Sequence, residues 1–295
     1  MIINGAVLDS LRVGFQTTFQ NAFSTVDPVW DPFVQRMTTT NDVESFTWME
    51  GVPEVTQWVD DAQFRTFSAQ AWQVGHKKWQ AGIVVSREDV VDDKLGQILP
   101  RINDLANQVR KHPGKLVYNK INTGDVTVCF DGEYFFDDDH PGGQSNIMTG
   151  PLTAANVNAM RRLFAGRRDR FGGLVDSTMT HLAVPPSLEM TAREILQPAT
   201  LANGATNLNQ GMVQLLVLPE LEYGPNGSAV KWYGFDLSRG IKPFVYVERE
   251  GVTVETQTTP ESENVFLRQI FRFNAWYRGN VDYLFWQLAA MSTGV

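Results

Sequence analysis

The chain has 295 residues, of which 43% are hydrophobic and 20% charged, with eight Trp and 18 Phe. That is enough apolar material for a sizeable core in one large or two smaller domains, and it excludes wholesale disorder. The net charge of −8 argues against a protein that grips nucleic acid tightly, since phosphate binding requires a basic face.

Cys129 is the only cysteine. This excludes an intrachain disulfide and any multi-cysteine metal cluster, and suits synthesis in a reducing cytosol. Met1 to Leu8 lacks the basic and apolar regions of a signal peptide, and no apolar run reaches the ~18 residues of a membrane span. The expectation is a protein made in the cytosol, with no membrane partner.

In chain order, Leu8, Leu11, Phe15, Phe19 and Phe23 recur at helical spacing and predict a short helix within residues 1–45. It is either a domain-edge helix or an arm laid on a neighbouring chain. Residues 46–86 predict a long twisted hairpin, with Gly51 and Pro53 at a turn and β-formers from Phe64 to Ser86. Trp48, Trp58, Phe64, Trp72 and Trp79 are candidate intersubunit anchors, because aromatics concentrate in interface cores. Their plainer role is the local core of the hairpin.

Residues 87–123 switch to helical period. Ser86 and Asp89 resemble a capping box, and Ile98, Ile102, Leu105, Val109, Leu116 and Ile121 form an apolar seam. Pro113 is expected to kink this helix and Gly124 to end it. A strand Val126–Phe130 and an acidic loop follow, then a helix near 153–170 capped by Thr153. Beyond it come a strand His181–Val184, a helix Ser187–Gln197 capped by Ser187, and strands Met212–Pro219 and Ala229–Phe235. Further strands near 242–249 and 252–258 are split by a turn at Glu250-Gly251. The last run, Val265–Ala275 and then Tyr283–Ala289, is aromatic-rich.

The acidic loop is the one constellation that could carry chemistry. Asp131, Asp137, Asp138, Asp139 and His140 offer hard oxygen ligands and an imidazole. A metal-dependent hydrolase using Asp131, Asp137 and His140 is therefore the alternative function. Against it, the spacing fits no known metal motif, and adjacent aspartates in extended chain point apart. A solvated acidic turn is the plainer reading. Phosphate loops, dinucleotide fingerprints and nucleophile elbows are all missing from the sequence, so no catalytic residue, metal or cofactor is assigned.

Four ordered motifs resemble the major head subunit of Mu-like phages and prophages. They are Phe46-Thr47-Trp48 with Pro53 and Trp58-Val59-Asp60; Ile83 to Asp89 with Asp92 to Gly96; Phe130-Asp131-Gly132 with Phe135-Phe136-Asp137 and His140-Pro141; and Phe285 to Ala289 with Ser292-Thr293-Gly294. The match is clearest over residues 45–145 and weaker over 150–260.

The resemblance implies an α+β tailed-phage and herpesvirus major capsid fold. It assigns residues 1–45 to an N-terminal arm, 46–86 to the extended loop, and 87–150 to a peripheral domain with a spine helix at about 98–123. Residues 151–260 would form the axial domain, and 261–295 would return to the peripheral domain. Phe135 and Phe136 join the interface candidates.

The implied function is a major capsid protein forming pentamers and hexamers of an icosahedral head around double-stranded DNA, which it touches non-specifically. Its implied partners are a separate scaffolding protein, a portal protein and, in some heads, a decoration protein. Its implied location is the virion, after assembly in the host bacterial cytoplasm. A protein compartment of the same fold, as in encapsulins, is the structural alternative. Deleting residues 64–80 is expected to leave a folded subunit that cannot assemble.

Overall fold

The structure is a computed structural model, and it describes residues 5–25, 28–46, 72–92, 95–169, 172–200, 204–259 and 262–295. Trp48, Trp58 and Phe64 lie outside the described residues. The elements in chain order begin with helix α1 (Gly5–Thr25), strands β1 (Val34–Thr38), β2 (Val43–Phe46), β3 (Trp72–Gly75) and β4 (Lys77–Ser86), and helices α2 (Arg87–Val91) and α3 (Leu95–Asn122). Then come β5 (Ile147–Met148), α4 (Ala154–Ala165), β6 (His181–Val184), α5 (Glu189–Leu196), β7 (Gln214–Val217), α6 (Glu220–Tyr223) and β8 (Trp232–Phe235). The chain closes with β9 (Phe244–Gln257), α7 (Glu263–Arg268), β10 (Ile270–Tyr283) and β11 (Ala289–Ser292).

Two sheets organise the fold. The first has strand order β1-β9-β10-β4, and the second has β5-β11-β8-β6-β7. The mixture of helices with mostly antiparallel strands is the α+β class that the sequence implies.

Strand β10 shows why the first sheet forms. Phe271, Phe273, Ala275, Tyr277, Gly279, Val281 and Tyr283 are buried, while the residues between them are half-exposed. That period-two alternation leaves one face to be covered. Helix α3 covers it with its seam of Ile98, Ile102, Leu105, Val109, Val117 and Ile121. Helix α1 lies beside α3, and its Phe15 stacks on Phe273 with ring centroids 4.1 Å apart. Phe15, Phe19 and Phe23 of α1 thus pack against their own subunit.

Helix α3 runs through both Pro100 and Pro113 as one element. It is preceded by α2, whose cap is the expected one: the Ser86 hydroxyl accepts from the Asp89 N–H at 3.1 Å and donates to the Asp89 carboxylate at 2.7 Å. Gly114 lets Trp30 lie against the helix, since a Cβ there would meet the indole at 2.6 Å. Gly114→Ala is therefore expected to destabilise the subunit by about 1–3 kcal/mol, read as a lowered unfolding midpoint in urea. An unchanged midpoint would mean that Trp30 can move away without loss.

Several expected elements differ. Strand β4 pairs along its whole length with β10, from Ile270↔Ser86 to Gly279↔Lys77. It is part of the body, and among the described residues of this span β2 and β3 pair as a hairpin base, with Phe46 opposite Trp72. Continuous β-formers could not reveal where the chain changes partner.

The turn at Glu250-Gly251 is instead a bulge inside the continuous β9, where Trp276 pairs with Thr253 and Arg278 with Glu250. An extra residue on one strand is absorbed this way without ending the ladder. Val126–Phe130 is not a strand; it contributes one isolated bridge, Val128↔Tyr134. Ser187 does not cap α5, because its hydroxyl and N–H both bond Glu222.

The late strands are shared between the two sheets. β9 lies in the first sheet with β10, and β11 returns to the second. The second sheet is buried on both sides. Leu182, Val184 and Trp232 pack with Val157, Met160 and Phe164 of α4. Ala183, Tyr233, Phe235 and Met291 join the core shared with the first sheet.

Candidate functional site

The expected interface residues fall in three places. Trp72 closes the β2–β3 hairpin and is half-buried against a small cluster of Phe46, Val74, Val245, Val247 and Leu284. Trp79 lies in β4, its indole N–H donates to the Gly279 carbonyl at 3.0 Å, and its ring rests 4.6 Å from that of His112. Both are held by their own subunit on at least one side.

Phe135 and Phe136 correct the expectation. They are 0% and 1% exposed, so neither ring is available to a neighbour. Phe135 stacks on Tyr283 at 4.5 Å, and Phe136 sits over Gly124, where a Cβ would meet its ring at 2.5 Å. Adjacent residues of a turn can both point inward when the turn itself is buried, which sequence spacing does not disclose.

The acidic loop is likewise only half solvated. The Asp131 side chain is 4% exposed and that of His140 is 0%. The Asp131 carboxylate lies 2.7 Å from His140 Nδ1 and accepts the Cys129 thiol at 2.9 Å. On the far side of the ring, His140 Nε2 lies 3.2 Å from Asn146 Oδ1. The Asn146 amide donates to the Phe135 carbonyl at 2.7 Å, which turns its oxygen toward the imidazole. Nε2 is then the donor to Asn146.

An aromatic column continues from this pair. The His140 ring stacks on Trp286 at 3.9 Å and 4° between planes. On Trp286 sits Arg167, whose guanidinium is 6.0 Å from that ring and 4.2 Å from Phe164. Arg167 donates to the carbonyls of Trp286 and Gln287. It is buried, so it is not part of a basic surface with Arg161 and Arg162. Burial pulls its guanidinium below the usual arginine range, and the Asp236 carboxylate opposes this.

Burial raises the Asp131 carboxyl, but the His140 and Cys129 hydrogen bonds, the His140 charge and the Glu133 N–H together outweigh it. The carboxyl is held below its ordinary value. Burial also pushes the Cys129 thiol up, reinforced by the Asp131 charge.

The linkage sign follows from the depressed Asp131 value. Its contribution to stability is present above the unfolded value of about 3.9 and is lost as pH falls through the folded one. Acid unfolding is thus expected to steepen below about pH 4, and Asp131→Asn should flatten that limb in a melting-temperature series. Equal slopes for parent and variant would remove Asp131 from the account.

Cys129, Asp131 and His140 bring three ligand atoms within 4.8 Å of one another. Tetrahedral zinc with ordinary bond lengths needs sulfur–oxygen edges of about 3.5 Å. The observed 2.9 Å and 2.7 Å contacts are hydrogen-bond lengths instead. Asp137, the third residue of the hydrolase alternative, is turned away: its carboxylate accepts the N–H groups of Tyr134, Asp138 and Asp139. Those residues do not form a convergent catalytic set. Instead, the arrangement ties the loop after α3, the end of α4 and the C-terminal segment into one block.

The sequence matches the family described as the Mu-like prophage major head subunit gpT over residues 8–151, 144–221 and 223–294. The chain belongs to that family. It is 25% identical over 283 residues to the Mu-like prophage FluMu major head subunit of Haemophilus influenzae, covering 96% of this chain and 72% of that protein. It is 20% identical to the major capsid protein of Escherichia phage Mu over 100% of this chain and 76% of that one. In fold it resembles the subunit of the bacteriophage JBD30 procapsid, with a TM-score of 0.63, 24% identity, and coverage of 99% and 76%.

As a Mu-like head subunit the chain is a major capsid protein, a structural component of a phage head. The fold alone would not separate a phage head from a protein compartment; the family match does. Arg167, Asn146 and Trp286 had no assigned role in the sequence. Trp286 was visible only as part of a C-terminal motif, and nothing local marks it as the floor under His140.

Proposed function

We propose that copies of this chain form rings of five and six, and that these close into an icosahedral head around double-stranded DNA. Helix α3, bound to the four-stranded sheet along its length, keeps the subunit stiff. Residues 47–71 carry contacts to neighbouring copies. Trp48, Trp58 and Phe64 are the anchors in that segment, and Trp72 and Trp79 border it.

The observation that carries this reading is the hairpin base. β2 and β3 enter the body as register partners at Phe46 and Trp72, and the intervening sequence is rich in Trp and Phe. A segment of that composition suits burial against a partner better than exposure. The acidic charge of −8 suits a wall that encloses DNA without adhering to it.

Assembly takes place in the host bacterial cytoplasm, directed by a separate scaffolding protein and started at a portal protein. A decoration protein is a further partner for the outer wall, and contact with packaged DNA is non-specific. The protein acts without catalysis.

Sedimentation velocity over a concentration series, with and without scaffolding protein, tests this. Pentamers and hexamers giving way to shells as concentration rises are expected, because many weak contacts make assembly steep. A strict monomer under every condition would refute it.

A further inference from the structure

The loop that follows α3 doubles back on itself as a short hairpin. The Phe136 N–H donates to the Gly124 carbonyl at 2.9 Å, Phe135 to Thr127 at 3.1 Å, and Cys129 to Glu133 at 2.8 Å. Cys129, Phe135 and Phe136 fill its inner side, and all three are buried. A half-buried hairpin ordinarily turns polar side chains to its other face. Here that face carries Val126, Val128 and Tyr134, which are 67%, 44% and 45% exposed. Val128 and Tyr134 are direct partners flanked by two backbone bonds. That is the close, non-hydrogen-bonded kind of pair, so the two side chains stand together.

The hairpin is held from beneath. Gly132 turns its tip with φ 96°, and the adjacent Asp131 carboxylate is fixed by His140, Cys129 and the Glu133 N–H. An apolar face on a fixed turn, at positions that packing leaves to polar residues, marks an interaction surface.

The charges around that face select its occupant. Glu133, next to Tyr134 in the chain, is exposed. The Asp137 carboxylate accepts the N–H groups of Tyr134, Asp138 and Asp139, which gathers the exposed Asp138 and Asp139 at the same edge. Residues 123–143 contain no Lys or Arg, and the nearby Lys231 ammonium is engaged by Asp125 at 2.6 Å. The rim therefore has one sign. It repels a second copy of itself, nucleic acid and an anionic membrane alike. A basic segment with an apolar face is its complement.

We propose that this hairpin docks a basic, amphipathic segment of another protein, which in a growing shell is the scaffolding protein. The inference rests on the shell reading for the identity of the partner, and goes beyond it by naming the surface and the partner's chemistry.

The surface is tested on the full-length subunit with a fluorescent amphipathic helix of Leu and Lys, read by anisotropy. The parent is expected to bind this helix, more weakly as salt is raised, and to ignore a helix of Leu and Glu. Val128→Ser with Tyr134→Ser is expected to melt within about 2 °C of the parent and to weaken binding by about tenfold or more. Asp138→Lys with Asp139→Lys should weaken it as well. Glu255→Lys with Glu263→Lys changes the charge equally at the far end of β9 and on α7, and should not. Equal binding by the parent and every variant would reveal diffuse attraction to the net charge of −8 and overturn the proposal.

The partner is tested by producing each chain together with the scaffolding protein. The parent is expected to retain it through purification, and the double serine variant to lose it. Shells of that variant that hold the scaffolding protein as the parent does would overturn the proposal and leave the shell reading intact. A double serine variant that keeps both the Leu-Lys helix and the scaffolding protein, yet builds no shell, would make the hairpin a contact between copies and overturn it too. If the parent never assembles, the shell reading fails, and the Leu-Lys helix still decides the surface.

Discussion

Replacing residues 47–71 by an Asn-Gly turn is expected to leave a subunit that folds normally and builds no shell. Phe46 and Trp72 are opposite partners at the end of the β2–β3 ladder, and Asn-Gly is the two-residue loop that joins such a pair with the correct twist. The hairpin base stays anchored, because Phe46 and Val74 pack with Val245, Val247 and Leu284 of the body. The melting temperature should therefore stay within about 2 °C of the parent, while particles disappear from electron micrographs. Normal shells from this variant would remove residues 47–71 from assembly.

The broader deletion of 64–80 is a poorer experiment than the sequence suggests. It removes β3 and the start of β4, including Trp79, whose indole bonds Gly279. A subunit lacking those strands would fail to fold for reasons unrelated to assembly.

The second large effect is expected at Trp286. Trp286→Ala removes the floor under His140 and the ring beneath Arg167, both buried. Truncating a buried aromatic costs about 3–5 kcal/mol, which lowers the melting temperature by about 5–8 °C in a chain of this size. Trp286→Phe keeps a ring against the imidazole and should lose less than half as much. His140→Ala should cost about 3 kcal/mol by a different route, since it leaves the Asp131 carboxylate buried without its main partner. Calorimetric scans of the three variants check this. A Trp286→Ala protein that melts with the parent would show that the column does not join the parts of the subunit.

Local patterns were the legible part of this protein. The 3–4 spacing of Ile98, Ile102, Leu105 and Val109 predicts α3, and Ser86 with Asp89 predicts the cap that starts α2. The α+β class and the family follow from motifs spread over the chain. Long-range choices were not legible. β4 looks as suited to a projecting hairpin as to the sheet, and only its pairing with β10 decides.

The acidic loop reads as solvated because aspartates crowd it. Its inner half is buried by Trp286 and Asn146, which reach it through tertiary packing. Phe135 and Phe136, interface candidates in the sequence, are turned inward by the same kind of packing. Of the expected anchors, Trp72 and Trp79 have a described place beside the hairpin, and Trp48, Trp58 and Phe64 lie outside the described residues.

The most direct test of the central claim is electron microscopy of the chain co-produced with its scaffolding protein in a bacterial host. Closed shells of uniform diameter, built of five- and six-membered rings, are predicted. Soluble monomers with no rings or shells at any concentration would contradict the account.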